Sequence, residues 1–216
     1  MPVPLDQFAF ERALLERGDS LIAGVDEAGR GPLAGPVMAA AVILPVDWIQ
    51  NGLPDELIGL NDSKQLTAAA RDRFFQFLTT QAAIRFGIAQ CSAEIIDAIN
   101  ILQATHRAMN EALASLAPPP RHVLVDGRRV ASLQFPQTPI VKGDALSYSI
   151  AAASILAKVT RDRLMQEFDR QYPGYGFAEH KGYGTAAHLA ALAKQGPCPI
   201  HRRTFAPMKL KQAELF

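Results

Sequence analysis

Short apolar runs alternate with stretches of helical spacing along the chain. Two runs, 21–25 and 37–44, lie on either side of a glycine-rich turn and predict two core strands joined by a tight loop. The stretch 83–90 predicts a third, half-buried strand, and the three together predict an antiparallel meander. In this third strand the expected inward positions are Ile84, Phe86 and Ile88, and the expected outward positions are Arg85 and Gly87.

The second half of the chain alternates helix and strand. Helical spacing runs from 101 to 116, and the three prolines at 118–120 end it before an apolar strand, 122–125. A further short apolar pair, Ile140 and Val141, precedes a second acidic turn. A long helix is predicted from 145 to 168, because this stretch is rich in alanine and leucine and free of glycine and proline.

This order of elements predicts a mixed α/β sheet. We expect residues 1–170 to form the main domain with an N-terminal tail. Residues 171–216 then form a small helical C-terminal extension, with a short helix at 185–194.

Composition narrows the class of protein. With 216 residues, 49% of them hydrophobic, the chain can bury a sizeable core. The formal net charge is +1, so any nucleic-acid binding must come from a local patch. Cys91 and Cys198 lack zinc-site spacing and are expected to be reduced thiols. Without a signal peptide, membrane span or coiled-coil heptad, the expectation is a soluble, cytoplasmic monomer.

Four carboxylates lie at or just past the ends of predicted strands. Asp26 and Glu27 follow the first strand, Asp126 follows the strand at 122–125, and Asp144 lies past the next. If the first and fourth strands are neighbours, these groups repel one another unless a cation neutralises them. All-oxygen ligation suits Mg²⁺ or Mn²⁺, and two such ions can promote in-line phosphoryl displacement.

Ordinary structural roles remain open for two of the four carboxylates. Asp126 with Gly127 is also a common turn-forming pair. Asp144, just before a long helix, is also a good N-cap residue. Asp26 and Glu27 are harder to explain structurally, because they open a glycine-rich loop directly after a buried strand.

The loop Gly29-Arg30-Gly31 permits close approach of backbone amides to a phosphate, with Arg30 available to clamp it. The alternative is that these glycines only turn a hairpin. Lys64 is a second candidate phosphate contact, although Asp62 or Ser63 beside it could simply cap the following helix.

The glycine-rich region after residue 171 interleaves aromatic and basic residues. The stretches 172–177 and 180–184 suit stacking on sugars or bases beside phosphate contacts. Farther on, a basic cluster adds local positive charge, although a solvated basic tail is its commoner explanation. This cluster comprises His201, Arg202, Arg203, Lys209 and Lys211.

Taken together, these segments resemble the type 2 ribonucleases H, and within them bacterial ribonuclease HII. The resemblance runs in order from about residue 20 to about residue 207. It rests on 24–37 (GVDEAGRGPLAGPV), 61–66 (NDSKQL), 125–127 (VDG), 142–144 (KGD), 151–159 (AAASILAKV), 172–177 (YPGYGF) and 180–185 (HKGYGT).

The resemblance implies a ribonuclease H-like fold, a five-stranded mixed sheet flanked by helices, with a C-terminal extension that contributes to substrate binding. It implies Asp26, Glu27, Asp126 and Asp144 as catalytic residues, the first three as the metal ligands. The loop 29–31 would contact the 2′-hydroxyls flanking the cut.

The resemblance further implies that Tyr183 stacks on the sugar at an RNA–DNA junction. Asp162, a fifth acidic candidate, is interpreted instead as a structural helix residue paired with a neighbouring arginine.

The implied activity is metal-dependent cleavage of the RNA strand of RNA–DNA hybrids and of ribonucleotides embedded in duplex DNA, with roles in primer removal and ribonucleotide excision. Two alternatives stay open. One is a DNA nuclease or integrase-like enzyme on the same fold. The other is a catalytically silent hybrid-binding module.

Overall fold

A single five-stranded sheet organises the protein, in a computed structural model that describes residues 6–208. Its strand order is β3-β2-β1-β4-β5, and the predicted mixed sheet flanked by helices is confirmed. Strands β1, β2 and β3 form the antiparallel meander, whereas β4 and β5 run parallel to β1. The strands are β1 (Ile22–Ala28), β2 (Val37–Ile43), β3 (Arg85–Cys91), β4 (His122–Asp126) and β5 (Gln137–Ile140).

Helices cover both faces of this sheet. They are α1 (Ala9–Leu15), α2 (Val46–Asn51), α3 (Ala68–Thr80), α4 (Ala93–Ala114), α5 (Tyr148–Gln171), α6 (Phe177–His180) and α7 (Ala186–Gln195). One core lies between the sheet and α3 with α5, and a second lies between the sheet and α4. All seven residues of β2 are buried, which explains why its sequence is a continuous apolar run.

The sheet packs very closely against α5 at Gly24 in the centre of β1. A Cβ atom at this position would lie 2.1 Å from the backbone carbon of Ser149 and 2.3 Å from the nitrogen of Ile150. Only glycine permits this approach. The first turn of α5 is thereby held against Gly24, which lies two residues before Asp26 on β1.

The inward and outward positions predicted for the third strand, β3, are wrong at two residues. Phe86 is 37% exposed, whereas Gly87 is buried against α4. A Cβ at Gly87 would lie 2.1 Å from the carbonyl oxygen of Ala112. The expectation failed because helices cover both faces of this edge strand, so neither face is simply a solvent face.

Two helix boundaries also differ from the prediction. Helix α4 begins at Ala93, eight residues earlier than expected, because Asn100 interrupts the helical spacing with φ 66° and ψ 164°. The side chain of Asn100 accepts hydrogen bonds from the amides of Leu102 and Gln103 and so begins the second part of the helix. Helix α5 begins at Tyr148 rather than 145, because Ser147 is its N-cap.

The segment after α5 packs onto the loop between β1 and β2. Phe177, Leu192 and Met208 form an apolar cluster with Leu33 and Met165. An isolated bridge also pairs Ala34 with His201. The boundary near residue 170 remains a prediction. Within residues 6–208, no helix is long and apolar enough to cross a membrane.

Gly24→Ala is expected to lower the free energy of unfolding by about 3 kcal/mol, because the methyl group must displace backbone atoms of α5. Gly18→Ala is a matched control, since its Cβ meets open space and only its φ of +91° opposes the side chain. A loss of about 1 kcal/mol is expected there. Urea unfolding followed by circular dichroism measures both, and equal losses would contradict the packing argument.

Candidate active site

The structure brings the four candidate carboxylates to one edge of the sheet. Val25 and Val125 are in parallel register, so Asp26 and Asp126 occupy the next positions on neighbouring strands. Glu27 follows on β1, and Asp144 lies in a 3₁₀ turn (Gly143–Ala145) that follows β5. The amide of Gly143 donates to Asp126 Oδ1 at 2.7 Å and so ties this turn to β4.

Crowding and burial make these carboxylates hold protons more tightly than usual. Burial, and then the charges of Glu27 and Asp126, raise the pKa of Asp26 well above its ordinary value. Burial also raises the pKa of Glu27, although Arg30, with its Nη1 atom 3.2 Å from Oε1, opposes the shift. Burial, followed by the charge of Asp126, raises the pKa of Asp144 to about 6. A bound cation would relieve this repulsion.

The donor set fits a hard divalent cation in its chemistry. Within residues 6–208, no three or more His, Cys, Asp or Glu side chains are already gathered around a single point as a metal cage. Magnesium seldom needs such a cage, because it keeps several waters and binds through one or two carboxylates together with substrate phosphates. Asp26, Glu27 and Asp126 could supply oxygen ligands of this kind at this end of the sheet.

The capping explanations for Asp144, Asp62 and Ser63 do not hold. Ser147 caps α5 and Thr67 caps α3. A turn role at Asp126 does coexist with the site, since Gly127 adopts a φ of +79°.

Lys64 belongs to the same acidic edge. Its side chain is 80% exposed, and its Nζ atom lies 4.0 Å from Asp144 Oδ2. The charges of Asp62 and Asp144 help to raise the pKa of Lys64, so the side chain stays protonated beside the carboxylates.

A cleft of about 260 Å³ adjoins the carboxylates, and it unites the remaining candidate residues. Tyr183 is 47% exposed and lies over Gly31, where a Cβ atom would be 3.6 Å from Tyr183 Cε1. The cleft is lined by Glu27, Ala28, Gly29, Arg30, Gly31, Ser63, Lys64, Ser154, Lys158, Arg161 and Tyr183. The loop 29–31 therefore does more than turn a hairpin, because it forms one wall of the cleft.

Comparisons with known proteins agree with this geometry. The family model for ribonuclease HII matches residues 23–208. The protein belongs to the ribonuclease HII family. It is 55% identical over 202 residues to the ribonuclease HII of Geobacter metallireducens, an alignment that covers 94% of this chain and 91% of the relative. The ribonuclease H activity predicted from the sequence is thereby confirmed.

Solved structures of ribonucleases H share the fold. The crystal structure of ribonuclease H2 from Pyrococcus horikoshii superposes with a TM-score of 0.72 at 27% identity, covering 89% of this chain and 97% of that one. Bst-RNase HIII, solved in complex with Mn²⁺, superposes with a TM-score of 0.66 at 18% identity. That alignment covers 99% of this chain and 74% of the other, and at this identity it shows the fold alone.

The expectation of a solvated basic tail is wrong for two of its residues. Arg202 is fully buried and His201 is 1% exposed. Arg203 is exposed, and Lys209 and Lys211 lie outside the described residues. A cluster of basic residues in the sequence does not show whether each side chain is solvated or is buried with backbone carbonyls as its partners.

The expected arginine partner of Asp162 is also wrong. Asp162 Oδ1 accepts a hydrogen bond from Lys158 Nζ at 2.7 Å, one helical turn earlier on α5. Arg163 pairs instead with Asp72 of α3. Asp162 therefore has a structural partner, as expected, but that partner is a lysine.

Sequence reasoning missed a chain of neutral histidines behind Tyr183. The amide of Cys198 donates to His201 Nδ1 at 3.0 Å, so neutral His201 carries its proton on Nε2. This proton is directed at His188 Nε2, 3.0 Å away, and His188 Nδ1 then donates to the carbonyl oxygen of Tyr183 at 2.9 Å. A proton added to either ring would place two donors face to face.

This chain predicts a defined pH dependence of stability. Burial lowers the pKa of His201 from 6.5 to about 4, and the repulsion that a protonated His188 would exert acts in the same direction. Because the folded pKa lies below the unfolded one, the stabilisation is fully present above pH 6.5 and is lost as the pH falls towards 4. The buried carboxylates with raised pKa values change the free energy of unfolding with pH in the opposite direction. They are present in both wild type and His201→Gln, so their contribution cancels when the two proteins are compared.

We expect the difference in unfolding free energy between wild type and His201→Gln to shrink by roughly 2 kcal/mol between pH 7 and pH 5. Urea unfolding at both pH values measures this difference. A pH-independent difference would show that His201 is not held neutral.

Proposed function

We propose that the protein cleaves the RNA strand of RNA–DNA hybrids and cuts at single ribonucleotides embedded in duplex DNA. The reaction is hydrolysis of a phosphodiester bond that leaves 5′-phosphate and 3′-hydroxyl ends. The observation that supports this most directly is the position of four crowded carboxylates beside a cleft lined by Gly31, Lys64 and Tyr183. Physiological roles in primer removal and ribonucleotide excision follow from such a substrate.

Two Mg²⁺ or Mn²⁺ ions would supply Lewis acidity and an activated water at this edge. Asp26, Glu27 and Asp126 are the proposed ligands, and Asp144 shares their charge environment. The Mn²⁺ complex of a ribonuclease HIII is compatible with either choice of ion.

The cleft residues provide recognition of the substrate. Arg30 is exposed and Lys64 extends beside Asp144, so both are placed to contact phosphates. The exposed ring of Tyr183 offers a stacking surface for a sugar, and the loop 29–31 offers polar backbone groups to a 2′-hydroxyl. The 2′-hydroxyl is the group that distinguishes the ribose strand from DNA. We also propose that the protein acts as a cytoplasmic monomer.

The deciding experiment compares three duplexes: DNA with one embedded ribonucleotide, an RNA–DNA hybrid and all-DNA. Each is incubated with Mg²⁺, Mn²⁺ or a chelator. We expect cutting of the first two only when metal is present. Cutting of the all-DNA duplex would support a DNA nuclease instead, and binding without metal-dependent cutting would support a silent hybrid-binding module.

Asp126→Asn is expected to reduce cleavage at least about 100-fold, because it removes a charged metal ligand, while hybrid affinity changes little. Asp47→Asn is the matched control, since Asp47 is exposed on α2, beyond the end of β2 that lies away from the carboxylates, and should leave cleavage within a few-fold of wild type. Gel-based cleavage and fluorescence anisotropy with a labelled hybrid measure the two properties. An active Asp126→Asn protein would refute the metal assignment.

A further inference from the structure

Two buried arginines support the wall of the cleft, and one of them, Arg161, also lines it. Arg161 of α5 is 1% exposed and Arg202 is fully buried. Within residues 6–208, neither guanidinium has a carboxylate partner within ion-pair distance. Burying an unpaired charge is costly, so an arrangement that retains two of them requires an explanation.

Both guanidinium groups donate to backbone carbonyls of the loop between β1 and β2, and Arg161 also reaches the segment that carries Tyr183. Arg202 donates to the carbonyl oxygens of Gly29, Arg30 and Gly35. Arg161 donates to those of Ala34, Pro36 and Lys181. Six carbonyls on the loop and beside Tyr183 are thus fixed by two planar groups.

We propose that Arg202, supported by Arg161, is a positioning residue that turns the amides of Arg30 and Gly31 into the cleft and supplies positive charge for an incoming phosphodiester strand. This proposal rests on the proposed function, because it concerns how the same site recognises its substrate.

The direction of the amides follows from peptide geometry. The peptide bonds joining Gly29, Arg30 and Gly31 are trans, so each N–H points opposite to the carbonyl of its own peptide unit. Arg202 holds the carbonyls of Gly29 and Arg30 inward. The amides of Arg30 and Gly31 therefore point outward, at residues that are themselves exposed beside the cleft.

These outward amides are available to a ligand. Among the described residues, neither the Arg30 nor the Gly31 amide donates a hydrogen bond to protein. Two adjacent amides that face one cleft form an arrangement suited to an anionic oxygen.

The unpaired charges act in the same direction. Burial, followed by repulsion from Arg161, lowers the pKa of Arg202 to about 9, the direction expected for a buried guanidinium that has no carboxylate partner within residues 6–208. The charge of Asp97 opposes this lowering of the pKa, but Asp97 does not pair with Arg202. Its carboxylate accepts hydrogen bonds from the amides of Arg203 and Thr204. A phosphodiester bound at the amides of Arg30 and Gly31 would bring a negative charge to the free side of the loop. The negative charge of the substrate would then offset the positive charges of Arg202 and Arg161, which have no carboxylate partner in the part of the chain that the structure describes.

The test compares Arg202→Gln and Arg202→Lys with Arg85→Gln. Arg85 is the control because it is exposed on β3, opposite Ile43 and so at the end of the sheet away from the carboxylates. Each variant is measured for cleavage of the duplex with one embedded ribonucleotide, with activity expressed per folded molecule. Each is also combined with Asp126→Asn and titrated with an RNA–DNA hybrid by anisotropy.

For Arg202→Gln we expect at least a tenfold loss of kcat/KM and a matching loss of hybrid affinity, because the loop amides lose their fixed direction. Arg202→Lys should recover less than a third of the lost activity, because a lysine keeps the charge but lacks the planar fork of donors that reaches three separate carbonyls. Arg85→Gln should match wild type in both measurements.

Normal kinetics and affinity per folded Arg202→Gln molecule, with lower thermal stability alone, would overturn the proposal and leave Arg202 a structural residue. Full recovery in Arg202→Lys would overturn the positioning role in favour of charge alone. If Arg202→Gln does not fold, Arg202→Lys decides between the same outcomes. Hybrid binding is read without cleavage, so failure of wild type to cleave would refute the proposed function while this inference is still tested.

Discussion

The parallel register of β1 with β4 is the constraint on which the site depends. It places Asp26, within β1, beside Asp126, the last residue of β4, where neither can move away without breaking the sheet. Packing of α5 against Gly24 fixes the same region from the other side, and the amide of Gly143 holds the turn that carries Asp144. Mutual repulsion is therefore maintained by the rigid core, and a cation is the means of relieving it.

Opposite charges are kept apart across the loop between β1 and β2. The crowded carboxylates at the end of the sheet are offset only in part, by Arg30 and Lys64. The buried guanidinium groups of Arg161 and Arg202 support the loop and have no carboxylate partner among the described residues. Direct pairing of the two sets would leave neither available to ligands. A phosphodiester with its divalent cations carries both signs of charge. Such a ligand, the one that we propose for this site, would match the two regions at once, which a simple anion or a metal alone would not.

Much of the fold and the carboxylate set could be predicted from the sequence, because strand ends and acidic residues are both local signals. The exposure of Phe86 and the burial of Gly87 could not, since they depend on how closely α4 crosses an edge strand. The early start of α4 was missed because Asn100 breaks the spacing that the prediction used. Arg202 was hidden for a different reason. Its partners are carbonyls distant in the chain, and backbone acceptors have no sequence signal.

The segment after α5 matters to the cleft because it shares buried supports with the loop between β1 and β2. Tyr183 lies on a short exposed stretch, but its carbonyl accepts from His188, and His188 in turn meets His201 next to Arg202. Arg161 also binds the carbonyl of Lys181, two residues before Tyr183. The stacking ring and the glycine loop are therefore fixed by shared buried supports, and the amide of Leu33 also donates directly to the carbonyl oxygen of Gly182. Their spacing is set before any substrate arrives, which would reduce the entropy cost of binding the ribose that we propose lies between them.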